Sequence, residues 1–379
     1  MRQIPSNSLA TSQAPRLASI EHARRAVMQD HVALPAGWVA PWVERSWQRC
    51  MSLGLHPQDA VAFEMLSVQQ MRRTHDANQR LVQTAKPILE GLGRAIVNTR
   101  YFAILTNTDG VVVDVSGAID RSDPRANLIT RIGTDLSESS VGTTAIGTAL
   151  SELQPVWLHR GEHFFSSTAH YSCAGAPLFG PDGACVGMLD LTGIDAVERP
   201  ELKHLVTQSA CKIENALVLA QAHSLVVRLN WPGNALGSEA DGIICLDADG
   251  WITGANQIAR QMVPNMAAPG QQNVHVSEVF GIPYQMLFDA VRRSETVLEI
   301  PLWTGLRLQA MPIERSREEF AVHADPRASN SLPLKDIETA LIRKAVDQAR
   351  GNVAEAARTL GISRATVYRK LGQQRPSTN

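Results

Sequence analysis

The chain is predicted to be multidomain α+β: an antiparallel sheet with flanking helices, a smaller α+β domain after it, and a C-terminal all-α helix-turn-helix. Three observations lead there. The 379 residues amount to two to four domains at roughly 100 to 200 residues each. Apolar runs hinged on Asp109-Gly110, Pro181-Asp182-Gly183, Asp249-Gly250 and Thr304-Gly305 recur through the middle of the sequence, as strand hairpins require. Beyond Leu332 only a helical period remains.

Composition bounds the rest. With 44% hydrophobic and 19% charged residues the chain can bury several cores, which excludes wholesale disorder. No run of about 18 apolar residues spans a bilayer, and Met1 to Ala10 lacks the regions of a signal peptide, so a cytoplasmic protein with no membrane partner is expected. The five cysteines lie far apart with no Cys-x-x-Cys pair, which encodes neither a zinc ribbon nor a disulfide framework and predicts reduced core thiols.

Residues 1–79 read as an N-terminal helical region interrupted at Pro35, Pro41 and Pro57, with elements suited to packing or dimer formation. Residues 80–229 form the first sheet domain: a helix to about Thr99, the hairpin "YFAILTNTDGVVVDVSG", then strands in "PVWLHRGEHF" and "YSCAGAPLFGPDGACVGMLDLTG". A helix from Arg199 to about Leu229 closes it. Residues 234–313 are the smaller unit, with a strand, turn, strand and helix in "DGIICLDADGWITGANQIARQM" and two more strands in "VLEIPLWTGLRLQAMPI". Residues 314–332, charged and rich in breakers, are a linker.

The last domain, residues 333–375, begins with a helix whose stripe is Ile337, Leu341, Ala345 and Val346, ended by Gly351. A second helix from Asn352 buries Val353, Ala356, Ala357 and Leu360. Ala357 leaves room for a close crossing, and Gly361 supplies the turn. Ser363 caps a third helix that turns Val367 and Leu371 inward and Arg364, Thr366, Tyr368, Arg369 and Lys370 outward. Arg suits guanine edges or phosphate, Thr a hydroxyl or methyl contact, Lys phosphate. Although the net charge is −1, the segment from Leu334 to Arg375 is basic, as a module facing double-stranded DNA must be. A solvated basic face on a three-helix bundle is the bland alternative.

"GNVAEAARTLGISRATVYRKL" resembles the Fis-type helix-turn-helix of bacterial enhancer-binding activators. "RSWQRCMSLGLHP", "ESSVGTTAIGTALSELQPVWLHRGEHF" and "CAGAPLFGPDGACVGMLDLTG" resemble the amino-terminal part of the acetoin-catabolism activator family, whose middle element is a GAF sensor. "DGIICLDADGWITGAN" is similar to the opening of a PAS domain. The resemblance implies a GAF-like antiparallel sheet with flanking helices, a smaller PAS-like α+β domain and a transcriptional role. One departure is large. That family carries an AAA+ ATPase between sensor and hairpin, whereas here only the linker separates Pro312 from Leu332. No Gly-Lys dipeptide occurs, so the phosphate loop G-x-x-x-x-G-K-[ST] is absent, as is the GAFTGA contact loop.

In the GAF-like segment the resemblance points to Trp157, His163, Phe164, Phe165, Tyr171 and Cys173 as candidates for binding a small-molecule effector, apolar walls with a few polar groups being what a pocket needs. Filling a core is their alternative role. Thr144 departs from the Asn of many relatives. His159, His163, His170 and Cys173 suggest a metal, but their spacing fits no closed zinc module, and no metal is expected. Cys245, His275 and Trp303 in the PAS-like unit select no cofactor, and none is expected. No G-x-S-x-G elbow, H-E-x-x-H helix or convincing nucleophile-base spacing is present, so the chain is not read as an enzyme.

The expectation is a ligand-responsive, sequence-specific DNA-binding regulator of a catabolic operon, without its own motor, acting as a homodimer and communicating with RNA polymerase holoenzyme. A dimer would set two recognition helices about one helical turn apart. The alternative is a signalling adaptor or antagonist that forms mixed oligomers with a motor-bearing activator.

Overall fold

Capping and proline placement define the first helices. The computed structural model describes residues 7–30, 32, 37–263, 266, 274–293 and 297–314, together with Val353, Ala357, Arg364 and Val367. Helix α1 runs Asn7–Met28 and α2 Pro41–Ser52. Pro41 starts α2, at the one helical position where its missing N–H is harmless. Helix α3, Val68–Ala95, opens with a reciprocal capping box between Ser67 and Gln70 and runs unbroken past residue 79, where the sequence reading divides two regions.

The first sheet comprises β1 (Tyr101–Thr106), β2 (Val112–Gly117), β3 (Val156–His159), β4 (Tyr171–Phe179) and β5 (Cys185–Ile194). All pairings are antiparallel, in the order β2-β1-β5-β4-β3. Between β2 and β3 lie α4 (Pro124–Ile129), α5 (Glu138–Val141) and α6 (Ala145–Glu152). Helix α7 (Leu202–Leu219) follows β5. Both faces of the sheet are covered. Ile104, Cys173 and Met188 join a core with Ala23, Val43, Trp47, Ile129, Val141 and Ile146, whereas Ala103, Trp157 and Leu189 face Leu89 of α3 and Ile213 of α7.

The closing helix is shorter than expected. It ends at Leu219, and Leu225–Asn230 is a strand, β6. "LVVRL" continues the apolar pattern of the helix, yet its two adjacent valines fit a pleated surface better, and a short apolar run does not by itself distinguish the two. β6 is the central strand of the second sheet, whose order is β8-β7-β6-β10-β9. Its partners are β7 (Gly242–Leu246), β8 (Ile252–Ala255), β9 (Leu298–Pro301) and β10 (Arg307–Glu314), with helices α8 (Gln257–Met262), α9 (Val276–Val279) and α10 (Gln285–Arg292) before β9. These helices cover one face with Leu287, Val276 and Phe280. The other face meets α7 through Val218, Val226, Ile243 and Cys245. Asn256 Nδ2 donates to Asn215 Oδ1 at 2.8 Å across the same seam, and Ala255 N to Pro181 O at 2.9 Å.

The chain divides into compact units Met1–Glu314 and Arg315–Asn379. In the second, Val353, Ala357, Arg364 and Val367 are helical; Ala357 and Val367 are buried and Arg364 is exposed. Among the described residues no helix is long and apolar enough to cross a membrane.

Candidate functional site

The period of two along a strand decides which expected ligand residues can meet. On β4, Tyr171 and Cys173 point to the face shared with α4, α5 and α6. Asp190 and Thr192 of β5 point the same way, since Cys173 pairs with Thr192 and Gly175 with Asp190. A cavity of about 30 Å³ opens there, lined by Tyr171, Cys173, Asp190, Thr192 and His163 beneath Thr144 and Ile146 of the α6 turn. Gly175 lets α6 come this close: a Cβ on it would sit 3.0 Å from the Ala145 carbonyl oxygen and 2.6 Å from Met188 Cε. Phe63 and Thr144 are half-buried, and the other lining residues are buried.

Three of the six expected ligand residues, His163, Tyr171 and Cys173, therefore share one cavity. Trp157 does not. It stacks on His159 on the opposite face of β3, within the core formed with α3 and α7. Phe164 and Phe165 belong to the core on the cavity's side but are absent from its lining. They meet edge to face at 5.2 Å and press on Gly142, where a Cβ would come within 2.8 Å of Phe165 Cε2. Since His159 points away from Cys173, the suggested metal cluster is not assembled, and among the described residues no group of three or more His, Cys, Asp or Glu could hold an ion.

Asp190 is the residue that sequence reading missed. It is fully buried, its Oδ2 accepts from Thr192 Oγ1, and its Oδ1 has no partner. Burial pushes its carboxyl up to about 7, partly countered by the Thr192 hydroxyl. Cys173 Sγ lies 3.4 Å from Thr192 Oγ1, and burial followed by the nearby Asp190 charge raises its thiol well above the usual range. That makes Cys173 a poor nucleophile. His163 is also fully buried, which holds its imidazole down near 4. Its Nδ1 lies 3.0 Å from the Arg160 carbonyl, which can only accept, so Nδ1 carries the proton and the unpartnered Nε2 presents a lone pair.

The loop that carries His163 is gripped from outside by the first two helices. Arg160, in the left-handed region at φ 49°, turns the chain off β3. Arg24 of α1 then donates to the carbonyls of Gly161 (2.8 Å), His163 (2.5 Å) and Phe164 (2.9 Å). Trp47 Nε1 of α2 donates to Glu162 O at 2.9 Å, and Arg16 pairs with the Glu162 carboxylate at 3.2 Å. Arg49 of α2 holds Glu138 of α5 at 2.6 Å and Glu152 of α6 at 2.8 Å. Both helices are thus tied to the segments that roof the cavity.

In the smaller unit, Cys245 lies on the α7 side of the sheet. His275 caps α9 and contacts Asp249 O at 2.9 Å, while Trp303 is exposed and donates to Ser277 O. These three do not converge on a shared site. Of the expected DNA-facing residues, Arg364 is described and exposed; Ser363, Thr366, Tyr368, Arg369 and Lys370 lie outside the described residues.

Comparison with known proteins agrees with the two-part organisation. Residues 18–215 match the model of the MimR N-terminal domain, and residues 333–373 match that of the bacterial regulatory protein Fis family. The chain is 28% identical over 273 residues to the acetoin catabolism regulatory protein of Cupriavidus necator, covering 70% of this chain and 39% of that protein. It is 26% identical to the acetoin dehydrogenase operon transcriptional activator AcoR of Bacillus subtilis (62% and 38%). It is 32% identical to the propane 2-monooxygenase operon transcriptional activator MimR of Mycolicibacterium goodii (49% and 31%). The chain therefore spans less than two-fifths of the length of each of these relatives. A solved structure, that of the Escherichia coli DhaR(N)–DhaL complex, aligns with 73% of this chain and 100% of its own at 14% identity and a TM-score of 0.43. With the first model matching just over half of its residues, the chain belongs to the MimR N-terminal domain family of transcriptional regulators.

Proposed function

We propose that this chain is a ligand-responsive, sequence-specific regulator of a catabolic operon, in which a small effector occupies the cavity beside Asp190 and alters how the C-terminal hairpin engages DNA. The observation that carries the proposal is the cavity itself: apolar walls with two buried polar atoms that no protein group satisfies. Such atoms are destabilising in an empty fold and useful in an occupied one. The relatives named for acetoin and propane 2-monooxygenase operons support a catabolic setting.

In this reading the first sheet is a GAF-like sensor and the second a PAS-like relay, with boundaries near 80–229 and 234–313 except that β6 goes with the second. The chain works in the cytoplasm as a homodimer on palindromic DNA, with Ser363, Arg364, Thr366, Tyr368, Arg369 and Lys370 facing the groove or its phosphates. An effector that moves His163 changes the carbonyls held by Arg24 and so the seating of α1. Control requires the effector to bind one arrangement better than the other. With no phosphate loop in this sequence, regulation proceeds by occupancy or by contact with RNA polymerase holoenzyme. Gel-shift titrations with genomic fragments test this: tight, salt-sensitive, fragment-selective binding is expected, and weak binding indifferent to sequence refutes it.

The absent phosphate loop also favours a second reading, an adaptor or antagonist in mixed oligomers with a motor-bearing relative. Regulation that survives Arg364→Ala plus Arg369→Ala, yet fails when the relative is deleted, selects it.

A further inference from the structure

The β4–β5 hairpin is longer than the sheet that holds it. β1 pairs with β5 only from Met188 onward and β3 with β4 only as far as Gly175, so beyond those residues the hairpin has no strand beside it. Glu214 of α7 steadies this overhang by accepting from Phe179 N at 3.1 Å. The tip closes with Gly180 N donating to Ala184 O at 2.7 Å and Gly183 in the left-handed region at φ 81°. It ends against β8, the edge strand of the second sheet. Both lone pairs of the Pro181 carbonyl are used there: it accepts from Ala255 N at 2.9 Å and from Arg260 Nη2 of α8 at 2.7 Å. Two glycines make the contact close. A Cβ on Gly254 would sit 2.9 Å from Pro181 Cβ and 3.2 Å from Gln221 Cγ, and one on Gly183 would sit 2.8 Å from Arg260 Nε.

We infer that the tip of this hairpin is a mechanical latch through which a displacement of the first sheet moves β8 and the start of α8. This rests on the reading of the second sheet as a relay. Without the tip, the sheets are joined by residues 220–224 and by the packing of Val218 on Val226, Ile243 and Cys245, a contact near the end of one helix that leaves a pivot. The Pro181 contact adds a second fixed point, and two points prevent rotation. Packed surfaces with no spare volume pass a shift on because they cannot absorb it. The shift arrives where α8 begins: Asn256 follows Ala255, its Oδ1 accepts from Ile243 N and Ala259 N, and its Nδ2 donates to Asn215 Oδ1 and Asp241 O. With that amide fully engaged, β8 and α8 move together.

The test is amide hydrogen exchange of the full chain, with Leu158→Ala as a perturbation confined to the buried far side of the first sheet. With the latch intact, this change should accelerate exchange at Ile244 and Leu308, in the core of the second sheet, at least about 10-fold, in step with β1 and β5. In chains that also carry Gly254→Val, which pushes on Pro181, or Arg260→Met, which removes one donor, the acceleration at Ile244 and Leu308 should fall at least about fivefold while that of β1 and β5 persists. Should Gly254→Val fail to fold, Arg260→Met carries the same comparison. Equal acceleration of the second sheet with and without the latch overturns the inference, and so does a second sheet indifferent to Leu158→Ala in the otherwise unchanged protein. Uncoupling as described, with operator affinity in gel shifts unaltered by Arg260→Met, supports the latch and removes the relay reading.

Discussion

Replacing Asp190 with Asn should make the protein more stable at alkaline pH while weakening its response to effector. The folded protein retains the Asp190 proton up to about pH 7, whereas the carboxyl's ordinary value is 3.8, because burial disfavours the charge. A folded-state pKa raised in this way means that the native form binds the proton more tightly than the unfolded chain. The wild type is therefore best placed below pH 4 and loses stability as pH rises towards 7. At about 1.4 kcal/mol for each pH unit of separation, the step from pH 5 to pH 8 removes roughly 3 kcal/mol from the wild type through this group. The Asn variant lacks that loss. Glu162 and Glu214, whose carboxyls burial also raises, titrate equally in both proteins and cancel in the difference. Urea unfolding followed by tryptophan fluorescence at pH 5 and pH 8 gives the comparison. The stability gap between variant and wild type should widen in the variant's favour by about 3 kcal/mol. Parallel pH dependence in the two proteins would refute the account of Asp190 as a buried, unpaired carboxyl.

Three further outcomes are expected. Arg24→Ala removes three hydrogen bonds from the Gly161, His163 and Phe164 carbonyls and should cost on the order of 3 kcal/mol, with faster proteolysis within α1. Trp157→Phe, on the face away from the cavity, should leave effector affinity within about twofold, whereas Cys173→Leu, which intrudes on the cavity, should reduce it at least tenfold; calorimetry separates them. Arg364→Ala should weaken operator binding and, if the side chain meets phosphate, lower the slope of log affinity against log salt by about 1 per recognition helix, read from gel shifts at several salt concentrations.

Much of this fold is legible in the sequence, for physical reasons that can be named. Asp109-Gly110 and Asp249-Gly250 mark real hairpins: Asn107 and Asp247 side chains accept from the backbone two and four residues on, fixing each turn. Asp190 was hidden because, in "VGMLDLTG", one aspartate between leucines looks like the wet side of an ordinary strand. The available signal was the neighbour, "YSCAGAPLF". A strand without a single charge is covered on both faces, so the aspartate paired beside it had to be buried. Trp157 lies apart from His163 for the converse reason. Proximity in sequence to His163 says nothing about face until the strand's parity is known. The end of α7 is harder to read because "LVVRL" extends an apolar pattern across residues 220–224, where only the break in periodicity and the paired valines mark the change from helix to strand.

The placement of β6 bears on how sensors of this kind can be recombined. The strand reached directly from α7 is the middle of the second sheet, hydrogen-bonded on both sides to β7 and β10. A hybrid joined after residue 230 would carry away that strand with the first sheet and split the second into two unpaired halves. The few residues 220–224 are the one seam at which the sensors can be exchanged with each sheet left whole, and even there Asn256 and Pro181 must find matching partners. The two sheets are accordingly inherited most safely as a single cassette together with α1, and swaps that keep residues 7–314 together should express where finer ones aggregate.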